Sequence, residues 1–235
     1  MNDERRIAAQ ARSYGGLDQE ERRADRLHRM LEAGLELFGT KGFHSVSIAE
    51  ICQRARISRS AFYDQVATQE NLLMAVVSAI DARAIDRISE ALAAHTSEPF
   101  TSRTRHALRA YLSVTCADIY SARVCYVEIV GVSPTIEEWR TQRREAFVAL
   151  IVHEARAAVA RGELPDRDYR HSALAAIGVI NALAYEWVNT QQTQNALSFD
   201  QMAAEVTHVV VATALTPVEL PDHPTPTEVD DRACG

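Results

Sequence analysis

The chain has 235 residues, 47% of them hydrophobic, which is enough for one or two domains with a sizeable core. It has no apolar run of ~18 or more residues and its N-terminus is charged and polar, so neither a membrane span nor a secretory signal is expected and the location should be cytoplasmic. The net charge of −7 argues at first against a nucleic-acid partner, yet residues 1–75 carry eleven basic and eleven acidic side chains while the remainder carries fourteen and twenty-one.

In chain order, residues 1–19 read as a flexible arm or short arm helix, followed by a helix opened by the capping-box pair Asp18 and Glu21. Leu27, Met30, Leu31, Leu35 and Phe38 form its apolar stripe, which stops at Gly42. Arg22, Arg23, Arg26 and Arg29 recur along it, as solvated surface or as phosphate contacts. Ser47 and Glu50 form a second capping box, with Ile48, Ile51, Cys52 and Ala55 on one face of a short helix. Ser58 caps the next short helix, in which Ala61 and Phe62 point inward and Arg59, Ser60 and Tyr63 outward. Two short helices joined by a tight turn, the second polar and Arg-bearing, are the build of a helix-turn-helix that enters the DNA major groove.

Thr68 then caps a fourth helix running to about Ala94, with Leu72, Leu73, Val76, Val77 and Ile80 on one face. The run Leu35-Phe38, Gly42-Phe43, Ser47-Ile48, Glu50-Ile51, Ala55, Ile57-Ser58, Phe62-Tyr63, Glu70 and Leu72-Leu73 resembles the N-terminal domain of TetR-family transcriptional regulators, over roughly residues 24–75. Five positions depart from that pattern. Arg56 stands where the family often has Gly in the turn, Ser60-Ala61 replaces its Gly-Thr pair, Val66 its Phe and Gln69 its Lys. A left-handed conformation at a non-Gly residue costs roughly 1 kcal/mol, so the turn at Arg56 is expected to be shaped differently.

Further on, helices are expected from about Thr101, over Ser121 to Val130, from a Thr135 cap to Arg161 with Gly162 as stop, from Asp166 or Asp168 to Gln191, and from a Ser198 cap to Leu215. Val209–Val211 are β-branched, but no partner strand exists for them and helix is preferred. Four Pro and five acidic residues mark 216–235 as a disordered tail. The expected architecture is all-α with about nine helices: a three-helix helix-turn-helix domain over 20–67 and a helical regulatory and dimerisation domain over 68–215.

The resemblance implies a homodimeric, sequence-specific regulator, a repressor released from a palindromic operator by a small effector. Ser47, Ser58, Arg59, Ser60, Tyr63 and Gln69 are the expected DNA-binding residues. Tyr63 and Gln69 should hold phosphates, and Arg59 and Ser60 should approach base edges. Dimerisation is implied through helices eight and nine, where Ala173, Ala175, Ala176, Gly178, Ala182 and Ala184 allow close approach. The effector site is expected among Tyr111, Tyr126, Trp139, Arg143, Phe147, Asn181 and Tyr185, an apolar lining with Arg143 and Asn181 as polar anchors. No cofactor and no metal is expected, since the histidines lack a known metal spacing. The alternatives are a helical enzyme, for which no GxSxG, P-loop or dinucleotide fingerprint is present, and a TetR-like interaction protein without effector binding.

Overall fold

Capping side chains decide where these helices start, and in the computed structural model they do so at the positions their chemistry favours. The structure describes residues 2–191, 193 and 196–216, with side chains from residue 19 onward; the expected tail from 217 lies outside the described residues. Among the described residues there are nine α-helices and no strand. They are α1 (Asn2–Lys41), α2 (Ile48–Ala55), α3 (Arg59–Val66), α4 (Gln69–Ala94), α5 (Phe100–Thr115), α6 (Ile119–Arg123), α7 (Pro134–Ala160), α8 (Arg170–Thr190) and α9 (Phe199–Leu215). None is long and apolar enough to cross a membrane.

Ser47, Ser58, Thr68 and Ser198 each accept an orphan N–H at the start of α2, α3, α4 and α9. Four starts differ from the sequence reading, one being α8, which begins at Arg170 after Tyr169 and not at Asp166 or Asp168. The backbone of α1 is helical through Asp18, so that residue opens nothing. Ser133, not Thr135, caps α7, because Pro134 occupies the first helical position, where its missing N–H costs nothing. The sixth helix begins at an Asp118 cap and passes into a π-turn over Val124–Glu128. Val209–Val211 are helical, and Gly162 ends the α7 segment with φ 73°.

The N-terminal domain closes around Phe38, Ile51, Phe62, Leu72 and Leu73, all fully buried. Burying a side chain of this kind stabilises by ~1.5–3 kcal/mol, so the first turns of α4 belong energetically to the N-terminal helix-turn-helix unit. In the C-terminal domain α4 packs along α5, α5 against α9, α7 against α8, and α8 on α9. The domains also meet away from α4, where α1 lies on α6. That approach requires Gly39, since an added Cβ would sit 2.6 Å from Tyr120 Cβ and 2.8 Å from its Cα. Beside it, the Glu128 carboxylate accepts the Phe43 N–H at 2.8 Å and the Arg123 Nε–H at 2.8 Å.

Candidate nucleic-acid interface and regulatory cavity

In α2, the Ser47 hydroxyl accepts the Glu50 N–H at 3.2 Å and donates to Glu50 Oε2 at 2.8 Å, while the Ser47 N–H donates to the same oxygen at 2.8 Å. Lys41 Nζ adds an ion pair to Glu50 at 2.7 Å. The Lys41 bond, then the bonds from Ser47, bring the Glu50 carboxyl down to about 2. The turn then needs a left-handed residue, and Arg56 supplies it at φ 54°, ψ 50°. Its N–H bonds Gln53 O at 3.2 Å and the Ile57 N–H bonds Cys52 O at 3.0 Å, a complete Schellman closure. The expectation of a differently shaped turn is therefore corrected: the geometry suited to Gly is kept and the chain bears the backbone strain. Arg29 compensates, with Nη1 donating to the Ala55 carbonyl at 3.0 Å and the Arg56 carbonyl at 3.1 Å.

Ser58 Oγ accepts the Ala61 N–H at 3.1 Å and starts α3. Phe62 is buried, and Tyr63 meets it edge-on while staying 53% exposed. Arg59 and Ser60 share the exposed side with Tyr63. Arg59 has no ion pair among the described residues, unlike Arg54, which is tied to Glu36. A groove beside α3 is lined by Arg23, Arg26, Arg29 and Arg56 with Ser58 and Ser60. The chain's even charge balance in this region hid that concentration of guanidinium groups on one edge. Gln69 is corrected: its Nε2 donates to the carbonyls of Phe43 and Val46, each at 2.9 Å, so the side-chain amide clamps the preceding turn and has no N–H left for a phosphate.

The C-terminal domain holds an apolar cavity of ≈ 160 Å³ between α4, α5, α7, α8 and α9. Of the seven residues expected there, Tyr111 and Phe147 line it. Five do not. Arg143 is drawn into a buried bidentate pair with Asp81 of α4, at 2.5 and 2.7 Å, because a buried guanidinium needs a counter-charge more than it needs a cavity. Tyr126 is buried and donates its O–H to Thr115 Oγ1 at 2.8 Å. Trp139 packs against the core from its edge. Asn181 is exposed and Tyr185 is 50% exposed, on the outward side of α8. The polar groups at the cavity are instead Arg103, Thr104, Glu154, Tyr169 and Ser172. Arg103 Nη2 reaches Glu154 Oε2 at 3.3 Å, and its buried Nε–H has no partner among the described residues. One more turn along the stripe of Trp139, Arg143, Phe147 and Ile151 leads to Glu154, a signal the sequence carried. Arg103 had none, since its turn of α5 is polar and arginine-rich.

Helix α8 is small-residue on two faces. Ala173, Ala176 and Ala184 are buried inside the subunit, while Ala175, Gly178 and Ala182 are exposed, next to the exposed Val209, Ala212 and Leu215 of α9. Cys52, Cys116 and Cys125 are free and buried, and burial raises all three thiols, Cys116 to about 12, as inert packing thiols require.

Residues 30–76 match the family of bacterial regulatory proteins named tetR. The HTH-type transcriptional regulator UidR of Escherichia coli K12 is 36% identical over 62 residues, which is 26% of this chain and 32% of that protein. The chain thus aligns with about a third of the length of the curated relatives it matches. Among solved structures, a protein of Syntrophomonas wolfei assigned to the TetR-family regulators superposes with a TM-score of 0.70 at 19% identity, over 83% of this chain and 99% of that one. The regulator FadR of Bacillus subtilis, in complex with stearoyl-CoA, gives 0.65 at 15% identity, over 80% and 97%. At such identities these likenesses concern the fold, and they extend it through both domains.

Proposed function

We propose that this chain is a regulator of the TetR family, a homodimeric repressor that leaves a palindromic operator when a small effector fills its C-terminal cavity. The observation that carries the reading is α3, which presents Arg59, Ser60 and Tyr63 to solvent on a rigid frame, beside a groove of four arginines. Arg59 would read a base edge, and Tyr63 and the groove arginines would hold phosphates. Two copies joined through the outward faces of α8 and α9 would set two α3 helices ~34–36 Å apart, or a multiple of that turn.

The cavity supports an effector of modest size. A cavity of about 150 Å³ accommodates benzene, so ≈ 160 Å³ suits a single aromatic ring or a short aliphatic chain. Stearoyl-CoA, which the Bacillus subtilis neighbour binds, is far larger than that space. The unpartnered Arg103 Nε–H favours an acidic group on the ligand. Coupling would use α4, whose first turns lie in the DNA-binding core and whose Ile88 and Leu92 line the cavity. The Glu128 clamp on Phe43 gives a second route.

The test is a gel shift on the DNA upstream of the gene, with random competitor and a panel of one-ring carboxylates. Specific retardation relieved by one member supports the reading; retardation equal on random DNA, or none, sinks it. Ala107→Leu, which fills the cavity wall, should keep DNA binding and lose the response.

A further inference from the structure

At the corner where α4 turns into α5, three side chains suited to a transition metal converge. His95 closes the C-terminus of α4, its N–H bonding Leu92 O at 3.4 Å, and the Glu98 N–H bonds His95 O at 3.1 Å across the following turn. Pro99 then begins α5, on which His106 stands within the second turn. Glu98 Oε1 is 2.7 Å from His95 Nδ1 and Oε2 is 3.4 Å from His106 Nε2. The two imidazoles stack with centroids 3.6 Å apart and planes within 4°. One donor atom from each of the three residues lies within 4.8 Å of the others.

We propose that His95, Glu98 and His106 form a binding site for a borderline divalent cation of the zinc class. Two neutral imidazoles and one carboxylate are a donor set for such ions, and three protein ligands leave a position for water. Metal bonds of ~2.0–2.2 Å put the donors ~3–3.5 Å apart, so the donors shift by an ångström or so and the stacked rings rotate apart to aim their in-plane lone pairs at one ion. All three are about a third exposed, which gives them room to move and gives the ion a path. The Ser102 hydroxyl donates to Glu98 and helps orient that carboxylate toward the two rings. The ligands sit on two helix ends and a tight turn, so the ion would pin α4 to α5 at the cavity end that Leu92 and Arg103 line. The site escapes a motif search because the spacing His-x2-Glu-x7-His belongs to a corner between helices, not to one helix face.

The experiment is a titration of the full-length, tag-free protein with Co2+, followed by its visible absorption and then by displacement with Zn2+. The expected result is saturation at one Co2+ per chain, loss of the bands on adding Zn2+, and at least ~tenfold weaker binding in His106→Ala and in Glu98→Gln. His153→Ala and His208→Ala, which remove histidines on other helices, should bind as the parent does. Thermal melts without metal check that each variant is folded, with His106→Gln as the substitute if His106→Ala melts early. Absence of saturable binding, or binding that survives in the His95→Ala/His106→Ala double variant, would overturn the site. Neither readout involves DNA or effector, so it stands or falls apart from the regulatory reading.

Discussion

The arginines around α2 and α3 and those buried in the C-terminal core are held in opposite ways. In the N-terminal domain these guanidinium groups lie toward the surface: Arg54 on Glu36, Arg29 on two carbonyls and Asp25, and Arg59 with no ion pair among the described residues. In the C-terminal domain Arg143 is buried against Asp81, with side chains only 18% and 11% exposed. Arg103 likewise lies against Glu154 in the cavity wall. A surface pair is worth ~0–1 kcal/mol and is free to be exchanged for phosphate, whereas a buried pair costs desolvation and becomes a fixed part of the core. Arg54 and Arg59 keep their charges available, whereas Arg143 and Arg103 have committed theirs.

The strongest way to break this contrast is Asp81→Ala, which strands the Arg143 charge and should cost ~3–5 kcal/mol in urea unfolding. The double variant Asp81→Leu/Arg143→Met should recover most of that loss, while Arg54→Ala should stay within ~1 kcal/mol. Equal costs for Asp81→Ala and Arg54→Ala would erase the distinction. Next, Gly178→Arg should weaken a dimer by ~2 kcal/mol or more without unfolding the subunit, because nothing lies within 4 Å of an added Cβ there. Sedimentation reads it; a dimer unchanged in this variant would rule out that face.

Arg59→Ala should lose ~1–3 kcal/mol of discrimination at one base pair per half-site. Tyr63→Phe should weaken all DNA alike, so equal losses on specific and random DNA for both variants would deny Arg59 a reading role. Arg56→Gly relieves the left-handed turn and should raise the melting stability by roughly 1 kcal/mol, with the fold unchanged. The smallest effect concerns acid. The Glu50 carboxyl is lower in the fold than in the open chain, so its contribution is full above about 4.5 and is lost as pH falls toward about 2. Glu50→Gln should flatten that part of the stability profile.

Much of the DNA-binding domain was legible in the residues. Capping pairs such as Ser47 with Glu50, and stripes such as Ile51, Cys52 and Ala55, are local signals, and α2 and α3 form where they point. The regulatory site was less so. Tyr111 and Phe147 were found because their helix faces are apolar, but Asn181 and Tyr185, further along the α8 stripe whose Ile177 does line the cavity, are exposed.

The chain by itself determined its helices, their caps and the exposed side of α3, because backbone groups at helix ends must be satisfied within a few residues. Tertiary structure alone decided which partner a long polar side chain found. Arg143 went to Asp81 sixty-two residues away, Gln69 to two carbonyls, Arg29 to the end of α2, and His95 to the ring of His106. The physical reason is reach. Apolar period and capping act over one or two helical turns, whereas a buried charge or amide is settled by whichever counter-group the packing of distant helices brings within ~3 Å.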